Sequence, residues 1–216
     1  MIKAIAEHPL LALALLASIV LCVFAWQRAL RAAKRRQAQK EKLIEALERE
    51  KKLRADFASL TRQQMDDSPA ERLMEGVCCN IQLWLEAQPD MNAAYAALPL
   101  PKRLLYALGY VVQDSRKGLT HFFRANGRPL TPDALQAVEQ LVGGGYAAVF
   151  RRAYDAFDEE NEEASVLPAY TAQWDEDFAK AAAQPGLYDR AKDYVLAHAE
   201  VFCGEGEQGL PGRSAE

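Results

Sequence analysis

The sequence predicts an all-α protein: an N-terminal transmembrane helix, a helical stalk and then a compact multi-helix domain. Three observations predict it. Apolar and polar residues never alternate strand-fashion for as many as six positions. Residues 27–65 contain neither Pro nor Gly and are rich in Ala, Leu, Glu, Lys, Arg and Gln, all good helix formers. Beyond them, Pro and Gly punctuate apolar stretches of helical period at the places where helices start and stop.

Composition bounds the class. Half of the 216 residues are hydrophobic, so wholesale disorder is excluded. The net charge of −4 is opposite in sign to that of a nucleic-acid binder, and no direct nucleic-acid binding is expected. The mean hides an asymmetry. Residues 27–65 hold 12 Lys and Arg against 5 Asp and Glu, net +7. Residues 66–216 hold 13 against 24, net −11. The chain reads as an uncharged N-terminus, a basic stalk and an acidic body.

Residues 1–26 form the expected anchor. From Pro9 to Trp26 there are 18 residues without a charge, and Ser18 is the sole polar side chain. As a helix this stretch covers about 27 Å, enough for a hydrocarbon core. A cleaved signal peptide is the competing reading. Lys3 is balanced by Glu7, and no small-residue cleavage site precedes the charges. Arg28, Arg31, Lys34, Arg35, Arg36 and Lys40 follow the span at once, which places the C-terminal side in the cytoplasm of a bacterial cell and the N-terminus outside.

The stalk, 27–65, reads as one continuous helix. Glu45–Arg49 and Glu48–Lys52 are acid-to-base pairs at i, i+4. Leu43, Ala46, Leu53, Phe57 and Leu60 form a weak heptad, broken by Glu50, that would suit a coiled coil and a homodimer.

The acidic domain, 66–203, is expected to hold seven or so helices. Ser68 and Pro69 open the first, with Leu73, Val77, Ile81, Trp84 and Leu85 on one stripe, and Gln88-Pro89 ends it. A short helix follows over 90–97. Residues 102–114 carry Leu104, Leu105, Leu108, Val111 and Val112 inward. Gly118 allows a bend before a helix containing Phe122 and Phe123. Thr131 caps the next, with Leu135, Val138 and Leu141 apolar, and Gly143-Gly144-Gly145 stops it. Residues 146–157 bury Val149, Phe150, Ala153 and Phe157. An acidic loop covers 158–168, the last two helices 169–182 and 187–202, and residues 204–216 read as a disordered tail.

Chemistry-bearing motifs are scarce. No phosphate loop, nucleophile elbow or metal-ligand spacing occurs, so no enzyme activity, cofactor or metal is expected. Cys78-Cys79 reads as a pair of small buried hydrophobes rather than a redox pair, and Cys203 as a free thiol. His121, beside Gln113 and Arg116, is the one alternative catalytic grouping. The charge pattern is more telling. Between Ala153 and Ala179 lie Asp155, Asp158, Glu159, Glu160, Glu162, Glu163, Asp175, Glu176 and Asp177, with no Lys or Arg. Such a surface would draw a basic partner protein.

Three blocks resemble a known family. Leu100-Pro101-Lys102-Arg103-Leu104-Leu105-Tyr106-Ala107-Leu108 feeds a signature at Gln113–Gly127, in which Gly118, Phe122, Phe123, Asn126 and Gly127 match. Trp174-Asp175-Glu176-Asp177-Phe178, Leu187-Tyr188 and Tyr194-Val195 resemble its closing helices. Over about residues 98–202 the chain resembles the bacterial DNA-mimic protein family. It departs where Ser115-Arg116-Lys117 replaces an Asn-Asn-Gly, Leu119 a Phe and His121 a Gln. The matched glycines and aromatics are expected to determine the fold. The resemblance implies an acidic dimer that occupies the DNA-binding surface of a regulator. Taken together, the expectation is a membrane-anchored, non-enzymatic interaction module. The alternative is a structural membrane protein that self-associates through its stalk in an envelope assembly.

Overall fold

The structure, a computed structural model, describes residues 9–157, 160, 168–182 and 186–203, without the side chains of 9–23, 25, 32 and 168–170. Every regular element among the described residues is helical, so the chain is all-α. It divides into two units, Met1–Lys52 and Leu53–Glu216.

The first unit is carried by α1 (Pro9–Asp56). No Pro or Gly interrupts it after its first residue, and neighbours one turn apart support it, as where Gln37 Nε2 donates to Glu41 Oε1 at 3.2 Å. Phe24, Trp26, Leu30, Leu43, Ile44 and Leu47 are exposed, Leu30 at 48% and Leu47 at 57%. Among the described residues no helix is long and apolar enough to cross a membrane. The expected span, 9–26, falls mostly on residues whose side chains lie outside the described ones; its backbone is helical.

The stalk helix stops earlier than its composition predicts. It ends at Asp56, and Phe57, 2% exposed, belongs to the core of the second unit, with Leu53 and Leu60 packed beside it. The reason is a slot at Gly76, where a Cβ would stand 2.3 Å from the Phe57 ring. Three of the five residues assigned to a stalk heptad are thereby consumed by the domain.

The second unit begins with α2 (Arg62–Asp67), capped by Thr61, whose Oγ1 accepts from the Gln64 N–H at 3.2 Å. Next comes α3 (Ala70–Glu86). Ser68 does not cap it; Ser68 ends α2, and Pro69 occupies the cap position without a side-chain bond. Asp90 caps α4 (Met91–Ala97) through the Ala93 N–H at 3.0 Å. A long helix, α5 (Leu100–Asp114), runs into one 3-10 turn, Ser115–Lys117, and Gly118 bends the chain into α6 (Leu119–Ala125). Then α7 (Leu130–Ala137) starts ahead of Thr131, which is buried in its first turn and so is no cap. It widens into a π turn, Val138–Val142, ended by Gly143 at φ +67°, whose N–H reaches the Val138 carbonyl at 2.8 Å. The remaining helices are α8 (Gly144–Ala156), α9 (Pro168–Ala182), α10 (Leu187–Ala197) and α11 (Ala199–Cys203).

At the centre, α5 packs against α7 and α3, α10 covers α3, and α8 pairs with α9. Leu104, Leu105, Leu108 and Val111 of α5 are fully buried on one face, with Leu108 one turn from each of the other three, as the 3.6-residue period requires. A ring cluster locks α6 to α8. Phe123 lies 5.2 Å from Phe122, 5.2 Å from Phe150 and 5.3 Å from Phe157, ring centre to ring centre. The ends of the unit are tied together. Lys192 Nζ donates to the carbonyls of Asp66 (2.7 Å) and Ser68 (2.8 Å), and Arg62 to that of Leu196 (3.0 Å).

Candidate functional site

The expected acidic surface spans the end of α8, residues 158–163 and the middle of α9. Asp158, Glu159, Glu162 and Glu163 lie outside the described residues. Glu160 is exposed. The other four acids are engaged by their own chain. Arg151 stands 4.0 Å from the exposed Asp155 carboxylate one turn on. It also hydrogen-bonds Glu139, which holds that carboxyl below the usual carboxylate range. Arg152 reaches Asp177 at 3.4 Å, and Gln173 Nε2 donates to the same carboxylate at 2.9 Å. Lys180 pairs with Glu176 at 2.7 Å, which lifts the Lys180 ammonium above its ordinary value. A charge count confined to 153–179 misses these cations because they sit just outside the window; one-turn spacing brings Arg151 and Lys180 back onto it, and the packing of α8 on α9 brings Arg152.

Asp175 has a separate task. Its Oδ1 accepts the Thr120 backbone N–H at 2.9 Å, so a residue of α9 satisfies an open donor in the first turn of α6. Gly118 makes room for it: a Cβ there would lie 2.5 Å from Asp175 Oδ2, and its φ of +108° is one that L side chains rarely adopt. Among the other matched residues, Phe122 and Phe123 are buried, and Asn126 Nδ2 donates to Asp114 Oδ2 (2.7 Å) and to the Phe122 carbonyl (2.9 Å). Gly127 is exposed in the turn before α7, with open space where a Cβ would point. The signature therefore shapes α6 and docks it on α9; it does not gather reactive groups.

The catalytic grouping is not assembled as a site. Gln113 is exposed, Arg116 lies near the Tyr188 hydroxyl, and His121 is half-buried with no hydrogen bond to Gln113 or Arg116. Among the described residues no three His, Cys, Asp or Glu side chains converge on a metal position. Cys78 is a packing residue. Its Sγ donates to the Leu105 carbonyl at 3.5 Å and fills the space that a Cβ on Gly109 would need. Burial, then Cys79, then Glu75 push its thiol up to about 12. Its neutral form thus contributes stability below the ordinary thiol pKa, and that contribution fades as pH climbs past it. In the native chain at pH 8, iodoacetamide is expected to alkylate Cys78 at least about 10-fold more slowly than Cys203, as read by peptide mass spectrometry.

Sequence reading missed one polar network. Tyr95 donates to Asp133 Oδ2 at 2.8 Å, and Asp133 faces Arg103 at 3.6 Å. The Tyr106 and Tyr110 hydroxyls both donate to Gln82 Oε1, Tyr110 at 3.0 Å. Burial, and for Tyr95 the Asp133 carboxylate as well, push Tyr95 and Tyr106 far above the usual tyrosine value, so both stay neutral donors. The network cross-links α3, α4, α5 and α7. Beside it a cavity of about 20 Å³, bordered by Phe57, Asn80, Trp84 and the buried Lys102, has room for roughly one water.

No family model matches the chain, and no curated protein or solved structure matches it.

Proposed function

We propose that this protein is a membrane-anchored, non-enzymatic interaction module. Its acidic helical domain binds a basic cytoplasmic protein. The observation that carries the reading is the division of charge along the chain: an uncharged 18-residue stretch, a +7 stalk and a −11 remainder. A helical backbone through residues 9–26 supports the anchor, as a single pass through a bacterial inner membrane with the domain on the cytoplasmic side. Ion pairs within the chain blunt Asp155, Glu176 and Asp177, and Asp175 caps a helix. The test of the acidic surface is therefore aimed at the other five acids of the sequence run, Asp158, Glu159, Glu160, Glu162 and Glu163. A DNA-binding regulator, the partner type that the family resemblance implies, offers the right charge; Arg116 and Lys117, both exposed, make the domain less than a uniform duplex mimic.

The test has two arms. Membrane fractionation of the full chain is expected to recover it with the inner membrane, and protease added to whole cells is expected to spare the domain; recovery as a freely soluble chain overturns the anchor. Reversing those five acids to Lys is expected to abolish capture of basic partners and to flatten the salt dependence of association. Equal capture by wild type and variant overturns the acidic surface.

A further inference from the structure

The apolar residues of α1 sort into two sets. Leu53, in the last turn of the helix, packs against the domain core, followed by Phe57 and Leu60. Leu30, Leu43, Ile44 and Leu47 have no such cover and are 48–61% exposed. Leu30, Ile44 and Leu47 of the second set fall on a different seam from the one that composition alone suggests, with Leu43 beside it. Steps of three and four residues from Leu30 give Ala33, Gln37, Lys40, Ile44 and Leu47, alternating a and d positions of a heptad, four of the six apolar.

We propose that α1 pairs with a second copy of this chain, parallel and in register, along this seam of Leu30, Ala33, Gln37, Lys40, Ile44 and Leu47. Charge complementarity selects the occupant. In the parallel register Arg36 occupies a g position and faces the e position of the second copy five residues on, which is Glu41; symmetry makes two such pairs. Gln37 and Lys40 form a polar layer between apolar ends. A one-heptad slip would set Gln37 against Leu30 or Ile44, so the polar layer fixes the register at a cost in stability. The seam from 30 to 47 is only about 26 Å long, short for an independent coiled coil. Two chains held in one bilayer meet at high effective concentration, which compensates. The direction rests on the anchor proposed above. Antiparallel pairing would put Leu30 against Leu47 of the second copy and send the two anchors to opposite ends of the pair, where one membrane cannot hold both.

The test is oxidative crosslinking in intact membranes. Leu47→Cys and, on the opposite side of the helix, Arg49→Cys are placed in the full chain with Cys22, Cys79 and Cys203 changed to Ser and the packed Cys78 retained. Leu47→Cys is expected to shift to a disulfide-linked dimer while Arg49→Cys stays at monomer mass. Adding Arg36→Glu to Leu47→Cys is expected to lower the dimer yield, and adding Glu41→Arg as well to restore it. Equal crosslinking at 47 and 49, or none at either, overturns the seam. Crosslinking only in a mixture of Leu30→Cys and Leu47→Cys chains overturns the parallel direction. Because fractionation is read separately, a membrane-bound chain that fails to crosslink defeats this inference alone.

Discussion

Phe123→Ala is expected to lower the free energy of unfolding by about 3–5 kcal/mol, the range for removing a buried phenylalanine ring. Phe123 is 3% exposed and touches Phe122, Phe150, Tyr154 and Phe157. The hole would open between α6 and α8. Against the roughly 5–15 kcal/mol typical of a folded domain, the loss is a large share. Urea unfolding of the full chain, followed by tryptophan fluorescence, measures it; a loss under about 1 kcal/mol would mean that the ring cluster does not hold these helices together.

Gly118→Ala comes next, at about 3 kcal/mol. Two costs combine: a backbone region essentially reserved for glycine (φ 108°, ψ 151°), about 1–3 kcal/mol, and overpacking against the Asp175 carboxylate, about 1–3 kcal/mol. The Cβ would meet a carboxylate already bonded to Thr120, so relief means giving up the bond that caps α6. Asp175→Ala in the same background separates the two costs. It removes the clash and leaves the φ penalty, so Gly118→Ala is expected to cost about half as much there as in the wild type. Equal costs in both backgrounds would show that the close approach contributes nothing.

Legibility in the sequence followed the range of the determining contact. The buried stripes Leu73, Val77, Ile81 and Leu85 of α3 and Leu104, Leu105, Leu108 and Val111 of α5 repeat at the helical period, and both sit inward as that period requires. The stop at Gly143 was equally local. The end of α1 was not. Nothing between 53 and 61 breaks a helix by composition, and the break is set by Phe57 entering the slot at Gly76. Ser68 and Thr131 looked like caps because each directly precedes a proline, yet tertiary packing assigned them to the end of one helix and the interior of another. At the candidate site, Asp175 read as one acid among nine. Its bond to Thr120 spans 55 residues, beyond the reach of any spacing argument. The ion pairs of Arg151, Arg152 and Lys180 were missed for a simpler reason, since these cations lie within two residues of the edges of the counted window.

The bonds from Lys192 to the Asp66 and Ser68 carbonyls, and from Arg62 to Leu196, have a consequence for biogenesis. The second unit opens with α2 and closes with α10, and each fastens the other. During synthesis the opening turn emerges first and must wait, unclasped, until nearly the whole polypeptide has left the ribosome. A nascent chain released before Leu187 would carry a complete α5 yet no lock on its own beginning, so quality control would meet it as an unfinished object.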